Sequence, residues 1–165
     1  MAYLLLFDIN GVLGFKDKRK ASHFVFRPAI LDILTTLADQ YTIGIYSSTT
    51  TPNVEKILAM ISPTWRNLFR VIADRTVTSL DPDYGIDPIV KSYDTVKKLS
   101  NFWEHPVLNP KRQWHSKNTI LIEHDPKKCR FNDPSNVLII PEYHSKAIEP
   151  FDFIGVINEK IEFLK

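Results

Sequence analysis

The sequence opens with an apolar run that ends at an acid and a turn. Tyr3 to Phe7 form the run, Asp8 follows directly, and Asn10 and Gly11 supply turn residues. A short continuous apolar run before a turn is typical of a strand covered on both faces, as in a parallel sheet. Ligand crevices in open α/β sheets lie at the carboxyl ends of the strands. Asp8 is therefore expected where chemistry takes place, although an ordinary turn after a buried strand remains the alternative.

Short apolar segments and amphipathic helices alternate along the rest of the chain. Further strands are predicted at 41–46, within 65–73, at 118–122 and at 136–140. Helices are predicted from Pro28 for about a dozen residues, after Pro52, over 88–103 and over 150–164. This alternation indicates a parallel sheet with helices on both faces. We predict an α/β three-layer sandwich of the Rossmann-like kind, with about five strands, in a single domain of residues 1–165.

Composition excludes several classes of protein. The 165 residues are 44% hydrophobic and 24% charged, as in an ordinary globular domain. No apolar run in the sequence is long enough to span a membrane. Because the first predicted strand starts two residues after Met1, we expect no leader segment. The single cysteine, Cys129, fits a reducing compartment. These features predict a protein of the cytoplasm or nucleus, and we expect it to be a monomer.

The net charge of +2 is too small to make nucleic acid the expected main partner. Two basic clusters nevertheless follow predicted strand ends. They are Lys16, Lys18, Arg19 and Lys20, and then Lys127, Lys128 and Arg130. Either cluster could attract an anionic substrate, or it could be a solvated loop.

Polar side chains follow two further predicted strands. Ser47, Ser48 and Thr49 come after one strand, and Glu123 and Asp125 come after another. In a parallel sheet these ends and Asp8 open on the same edge. Two acids there could hold Mg²⁺, while a hydroxyl and a lysine bind phosphate oxygens. The set predicts phosphoryl transfer with an aspartate nucleophile, and the chain lacks the Gly-rich loop of P-loop nucleotide hydrolases.

The order of these motifs resembles the haloacid-dehalogenase superfamily. The segments that carry the resemblance are Phe7–Leu13, Arg27-Pro28, Tyr46–Ser48, Val96–Ser100, Ile122–Pro126 and Asn136–Ile139. Within the superfamily, the similarity is to the branch of RNA polymerase carboxy-terminal-domain phosphatases and NLI-interacting-factor-like proteins, which also includes a mitochondrial translocase subunit. It covers nearly the whole chain.

The resemblance implies roles for individual residues. The implied catalytic residues are Asp8 as nucleophile, Asn10 at the general-acid position, and Lys97. The implied phosphate-binding residues are Ser47, Ser48 and Lys97, and the implied Mg²⁺ ligands are Asp8, the Asn10 carbonyl and Glu123. Lys98 or Lys91 would replace Lys97 if the register of the predicted helix is shifted.

The chain departs from the family pattern at two positions. Asn10 stands where active relatives have an aspartate, and Glu123-His124 stands where an Asp followed by Asp or Asn is usual. An amide cannot donate a proton as a carboxylic acid does, and such help is worth ~10²–10⁴ in rate. His124 could act as acid or base or be structural, and Asp125 could reach the metal through water. We therefore expect slow turnover on alkyl phosphates such as phosphoserine and better turnover on aryl phosphates.

The segment between Ser47 and Lys97 has room for a helix, a strand and a turn-rich hairpin, but not for a large cap domain. An uncapped crevice suits a phosphorylated protein segment better than a small metabolite. Tyr84, Trp103 and Trp114 could line such a groove or belong to the core.

Two functions follow from the resemblance, and a third from the basic clusters. The first is a Mg²⁺-dependent phosphatase acting on phosphoprotein with attenuated activity. The second is an inactive pseudophosphatase that binds a protein partner. The third, a phosphatase that processes nucleic-acid ends, draws only on the basic clusters and would need salt-sensitive binding to single strands.

Overall fold

A computed structural model describes residues 1–19, 23–145 and 150–165, and its centre is a five-stranded parallel sheet. The strands are β1 (Leu4–Phe7), β2 (Gly14–Asp17), β3 (His23–Phe26), β4 (Thr42–Tyr46), β5 (Val71–Ala73), β6 (Ser79–Leu80), β7 (Thr95–Val96), β8 (Thr119–Glu123) and β9 (Val137–Ile139). The helices are α1 (Ile30–Gln40), α2 (Thr51–Ile61), α3 (Trp65–Leu68), α4 (Leu99–Trp103) and α5 (Phe153–Leu164). None of these helices is long and apolar enough to cross a membrane.

The central sheet has the order β5-β4-β1-β8-β9, with every pair parallel. Strand β1 lies in the middle and is buried along its whole length, as its continuous apolar sequence predicts. Phe7 is aligned with Ile45 of β4 and Ile122 of β8. The chain therefore leaves all three strands at the same edge of the sheet.

Two hydrophobic cores lie on opposite faces of the sheet. Leu5 and Phe7 of β1 pack in one core with α1, α2 and α5. Leu4 and Leu6 pack in the other with α4 and Trp114. Alternate side chains of a strand point to opposite faces, so β1 contributes to both cores. The predicted three-layer α/β fold is confirmed.

The helix predicted over 88–103 is wrong in most of its length. Only α4 is helical there, and β7 pairs antiparallel with β6. The carboxylates of Asp87 and Asp94 accept hydrogen bonds from nearby backbone N–H groups, which competes with helix formation. The β-branched pair Thr95-Val96 also favours an extended backbone. As a result Lys97 does not lie on a helix but between β7 and α4.

Two hairpins lie outside the central sheet. Strands β2 and β3 form one that the sequence did not reveal. The β6–β7 hairpin is the turn-rich one predicted before Lys97. Between Ser47 and Lys97 the chain forms only α2, α3, β5, a short 3₁₀ turn and this hairpin. This segment of the described chain therefore contains no large cap domain.

Candidate active site

The residues singled out in the sequence meet in one crevice at the carboxyl edge of the sheet. Its volume is about 230 Å³. The crevice is lined by residues at, or just after, the carboxyl ends of β1, β4, β7 and β8. They are Asp8, Asn10, Ser47, Ser48, Thr49, Lys97, Glu123, His124, Asp125 and Lys128. Every predicted catalytic, phosphate-binding and metal-binding residue is among them.

Lys97 joins the two acids at the bottom of the crevice. Its Nζ lies 2.8 Å from Asp8 Oδ1 and 2.5 Å from Glu123 Oε2. All three side chains are buried, with Lys97 only 2% exposed. Isolated charges at such depth would be costly, and the contacts between them compensate for the lost hydration. The acids and the lysine therefore form one electrostatic unit.

The pKa values in this unit follow from burial and from the shared lysine. Burial alone would lower the pKa of Lys97, but the charges of Asp8 and Glu123 outweigh burial and raise it above its usual value. Burial, and next the charge of Asp8, raise the pKa of Glu123 despite the nearby ammonium. Two carboxylates thus compete for one cation, and Lys97 stays protonated.

The backbone around Lys97 is held by a residue that the sequence reasoning missed. Asn132 donates through Nδ2 to the Lys97 carbonyl at 2.7 Å and accepts at Oδ1 from the Leu99 N–H at 2.7 Å. The Lys97 N–H donates to the Lys128 carbonyl at 2.7 Å. Asn132 lies in a polar loop whose sequence carries no signal that would mark it.

The two alternative lysines lie elsewhere. Lys98 Nζ is 5.3 Å from the centre of the Phe131 ring, and Lys91 Nζ is 5.7 Å from that of the Tyr93 ring. Neither lines the crevice. Of the three lysines, the structure therefore places only Lys97 in the crevice, although α4, the helix observed within 88–103, does not include it.

The hydroxyl side of the crevice is also ordered by hydrogen bonds. Ser47 is buried, and its Oγ accepts from the Thr49 N–H at 3.1 Å. Thr95, buried on β7, donates from Oγ1 to Ser48 Oγ at 2.8 Å. The Ser47 N–H donates to the Ala73 carbonyl at the end of β5. The two serines are thus held in place by three neighbouring segments.

The imidazole of His124 lies against Gly11 in the loop after β1. A Cβ on residue 11 would lie 2.5 Å from His124 Cδ2 and 2.6 Å from its Nε2. Gly11 also has φ +84°, a conformation that residues with a side chain rarely adopt. Glycine is therefore required at this position for two independent reasons.

Arg27 also holds the loop after β1, through hydrogen bonds to backbone carbonyls. Its Nε donates to the Val12 carbonyl at 2.6 Å, and its Nη2 donates to the Pro141 carbonyl at 2.7 Å. The guanidinium lies 5.1 Å from the centres of the Tyr143 and Phe153 rings. The motif Arg27-Pro28 thus has a structural role behind the crevice. Pro28 itself precedes α1, which begins at Ile30.

The donor groups fit a divalent cation. Asp8, Glu123 and His124 each offer one ligand atom, and these atoms lie within 4.8 Å of one another. Two carboxylates against one ammonium leave a net negative charge that a cation would compensate. Carboxylate and carbonyl oxygens are the ligands that Mg²⁺ prefers.

Of the two alternatives left open for the tryptophans, groove lining or core, the structure supports the core. Trp114 is buried in the core that includes α4. Trp103 packs against that core and donates from Nε1 to Thr119 Oγ1 at 3.1 Å, at the amino end of β8. Both therefore lie away from the crevice. Tyr84 is exposed on the connection between β6 and β7.

The basic clusters divide between the crevice and its surroundings. Lys128 lines the crevice, whereas Arg130 pairs with Asp81 and Asp83 of the hairpin connection. Lys16, Lys18 and Arg19 line a neighbouring depression that also touches Asn10. Lys20, predicted with them, lies outside the described residues.

The family model for NLI interacting factor-like phosphatases matches residues 3–152. The chain belongs to this family. The haloacid-dehalogenase branch indicated by the motif order is therefore confirmed. No match is found among curated proteins.

Two solved structures share the fold of this NLI interacting factor-like phosphatase domain. One is the fission yeast RNA polymerase II CTD phosphatase Fcp1, as the R271A variant bound to beryllium fluoride, with a TM-score of 0.57 and 12% identity. The other is Fcp1 described as an essential RNA polymerase II CTD phosphatase, with a TM-score of 0.60 and 14% identity. Each comparison covers 99% of this chain but 50% and 49% of the Fcp1 chains. This chain thus spans about half the length of these relatives, and at such identity the likeness concerns the fold.

Proposed function

We propose that this chain is a Mg²⁺-dependent phosphatase that acts on phosphoserine or phosphothreonine in proteins through an aspartyl-phosphate, at an attenuated rate. The observation that carries the proposal is the buried contact of Lys97 with both Asp8 and Glu123 at the ends of adjacent strands. Its setting would be the cytoplasm or nucleus, and it would work as a monomer. The single cysteine, Cys129, is a free thiol, as such a reducing compartment allows.

In the first step a carboxylate oxygen of Asp8 attacks the phosphorus atom. The phosphorus–oxygen bond of the ester breaks, and its electron pair goes to the departing serine or threonine oxygen, which takes a proton from water. Ser47 and Ser48 donate to phosphate oxygens, and the Lys97 ammonium stabilises their charge. In the second step a water molecule attacks the phosphorus, loses its proton to solvent, and releases inorganic phosphate from Asp8.

The metal would be held by Asp8, Glu123 and the Asn10 carbonyl. When bound, Mg²⁺ supplies positive charge beside the phosphate oxygens. The Lys97 ammonium would supply a second positive charge beside the two acids, because its raised pKa keeps it protonated.

Asn10 is the residue that lowers the expected rate. It is exposed at the rim of the crevice, where an aspartate would meet the leaving group. Without an acid there, the alkoxide of a serine leaves slowly. An aryl phosphate, whose leaving group needs less protonation, should be hydrolysed faster than phosphoserine.

Hydrolysis of p-nitrophenyl phosphate with Mg²⁺ tests the proposal. Asp8→Asn should abolish activity. Asn10→Asp should raise it by roughly 10²-fold, mainly because an aspartate there would activate the water of the second step. Asp39→Asn makes the same chemical change at an exposed position of α1 and should have no effect. Activity that survives in Asp8→Asn would overturn the aspartyl-phosphate.

A second test does not depend on turnover. Beryllium fluoride, which the fission yeast relative holds, mimics a phosphoryl group on a carboxylate. Fluorine NMR should detect it bound to the wild type with Mg²⁺ and to Asp39→Asn, but not to Asp8→Asn.

The alternative is an inactive pseudophosphatase that binds a protein partner. One specific observation favours it: both oxygens of Glu123 already have protein partners. Oε2 contacts Lys97, and Oε1 accepts from the His124 and Asp125 N–H groups at 3.0 and 3.3 Å. Absence of activity in both wild type and Asn10→Asp, together with binding of a phosphopeptide, would favour this function.

A further inference from the structure

The imidazole of His124 faces the two acids of the crevice. Its Nε2 lies 3.8 Å from Glu123 Oε1, and its side chain is 21% exposed. Within the described parts of the chain, no hydrogen bond is made by either of its ring nitrogens. A nitrogen donor is therefore available beside the carboxylates.

The loop after β1 is shaped to admit this ring. The ring occupies the space that a side chain on residue 11 would fill, as the 2.5 Å approach to a Cβ there demonstrates. The backbone of the same residue is also held, because the His124 N–H donates to Glu123 Oε1 at 3.0 Å. The backbone at 124 and the gap at Gly11 thus fix the imidazole near the acids from two directions.

The spacing of the donors suits a single ion. Atoms bound to one ion at about 2.1 Å can be at most about 4.2 Å apart. The His124 Nε2 and Glu123 Oε1 atoms, at 3.8 Å, already satisfy this limit. The donor atoms of Asp8, Glu123 and His124 all lie within 4.8 Å of one another. No pair of them would therefore have to move closer by more than about 0.6 Å to bind the same ion. Lys97 contacts Asp8 Oδ1 and Glu123 Oε2. The ion would therefore use the other oxygen of each acid, and it would share Glu123 Oε1 with the His124 and Asp125 N–H groups that this oxygen accepts from.

We propose that His124 is a metal ligand and that it shifts the preference of this site from Mg²⁺ towards first-row transition dications such as Mn²⁺. Imidazole nitrogen binds transition dications well, whereas Mg²⁺ prefers oxygen and tolerates misplaced ligands poorly. The inference rests on the metal site of the proposed function, but it concerns binding and not turnover. It also gives a chemical reason for His124 at a position where Asp or Asn is usual.

The test is a binding measurement on the intact chain. Free Mn²⁺ is followed by electron paramagnetic resonance during titration, and Mg²⁺ affinity is measured by competition. The wild type should bind Mn²⁺ at least tenfold more tightly than Mg²⁺, and His124→Asn should reduce that ratio about tenfold. His115→Asn removes another exposed imidazole, in a loop before β8, and should leave the ratio unchanged.

Pulsed paramagnetic resonance gives a direct reading of the ligand. Bound Mn²⁺ in the wild type and in His115→Asn should display coupling to an imidazole nitrogen, and the coupling should vanish in His124→Asn. Bound Mn²⁺ without nitrogen coupling, an unchanged ratio in His124→Asn, or no Mn²⁺ binding by the wild type would each overturn the inference.

These outcomes separate the inference from the proposed function. Nitrogen coupling in a chain without phosphatase activity would support the ligand role of His124 and overturn the catalytic proposal. Activity that depends on Asp8, with bound metal but no nitrogen coupling, would support the catalytic proposal and overturn the ligand role of His124.

Discussion

At the scale of single residues, Lys97 balances two buried acids. Removing one partner of a buried ion pair leaves an uncompensated charge, which is costlier than the loss of the contact itself. The neighbouring Lys98, by contrast, contacts the Phe131 ring outside the crevice. The two adjacent lysines therefore offer a matched comparison.

Lys97→Met should lower the free energy of unfolding by about 3–5 kcal/mol, since Asp8 and Glu123 would remain buried without their cation. Lys98→Met should change it by less than about 1 kcal/mol. Urea denaturation followed by circular dichroism measures both. Equal effects of the two variants would contradict the role given to the Lys97 contacts.

Gly11 is the second residue whose substitution has a definite expected cost. Gly11→Ala should destabilise the fold by more than about 1 kcal/mol through its positive φ, and further through the clash with His124. Gly85 has φ +88°, but a Cβ at that position would meet no atom within 4 Å, so Gly85→Ala isolates the backbone strain. Thermal unfolding of both variants separates strain from clash, and equal losses would argue against the tight contact with the imidazole.

At the scale of elements, the segment from β7 to α4 carries a site residue without being a continuous helix. Asn132 holds it through hydrogen bonds to the Lys97 carbonyl and the Leu99 N–H. The ion pair between Arg130 and Asp81 ties the loop after β8, which also contains Asn132, to the β6–β7 hairpin. Loop contacts, and not helical periodicity, therefore set the position of Lys97.

Asn132→Ala should lower the free energy of unfolding by about 1–3 kcal/mol, because backbone groups beside Lys97 lose their partner. It should also lower p-nitrophenyl phosphate hydrolysis, since the ammonium would be less well placed. Asn67→Ala, at an exposed position of α3, is the control and should affect neither quantity. A stability loss with unchanged hydrolysis would mean that Asn132 serves the fold alone.

At the scale of the whole molecule, the central sheet contributes side chains to both cores. The reactivity of the only cysteine can be used to measure how well one of these cores is protected from solvent. Cys129 is buried in the core that includes α4. Burial raises the pKa of its thiol to about 12. At pH 8 only about one thiol in ten thousand would be ionised, and the thiolate is the reactive form.

The native protein should therefore resist Ellman's reagent at pH 8, and urea should expose one reactive thiol per chain. Because the folded pKa lies above the ordinary value, the native thiol should react more slowly than the unfolded thiol at the same pH. The time course of colour development measures this. Rapid reaction of the folded chain at pH 8 would contradict the burial of Cys129.

The elements that the sequence predicted well are those with a strong local pattern. Strand β1 is a continuous apolar run, and α1 and α2 have clear helical spacing, so each was found to within a few residues. The segment 88–103 failed because its apolar residues imitate helical spacing, while Asp87, Asp94 and the β-branched Thr95-Val96 favour turns and an extended backbone. The β2–β3 hairpin was missed because its short strands carry no comparable pattern.

The sequence by itself determined the sheet, the edge at which its strands end, and the residue types at those ends, because alternation and apolar runs are local properties of the chain. Only the tertiary structure decided that Lys97 is the lysine that meets Asp8 and Glu123, and that His124 lies over Gly11. Those contacts join residues far apart in the chain, and they depend on loop hydrogen bonds such as those of Asn132. No periodicity in the sequence encodes such bonds, since their geometry arises when the strands are packed side by side.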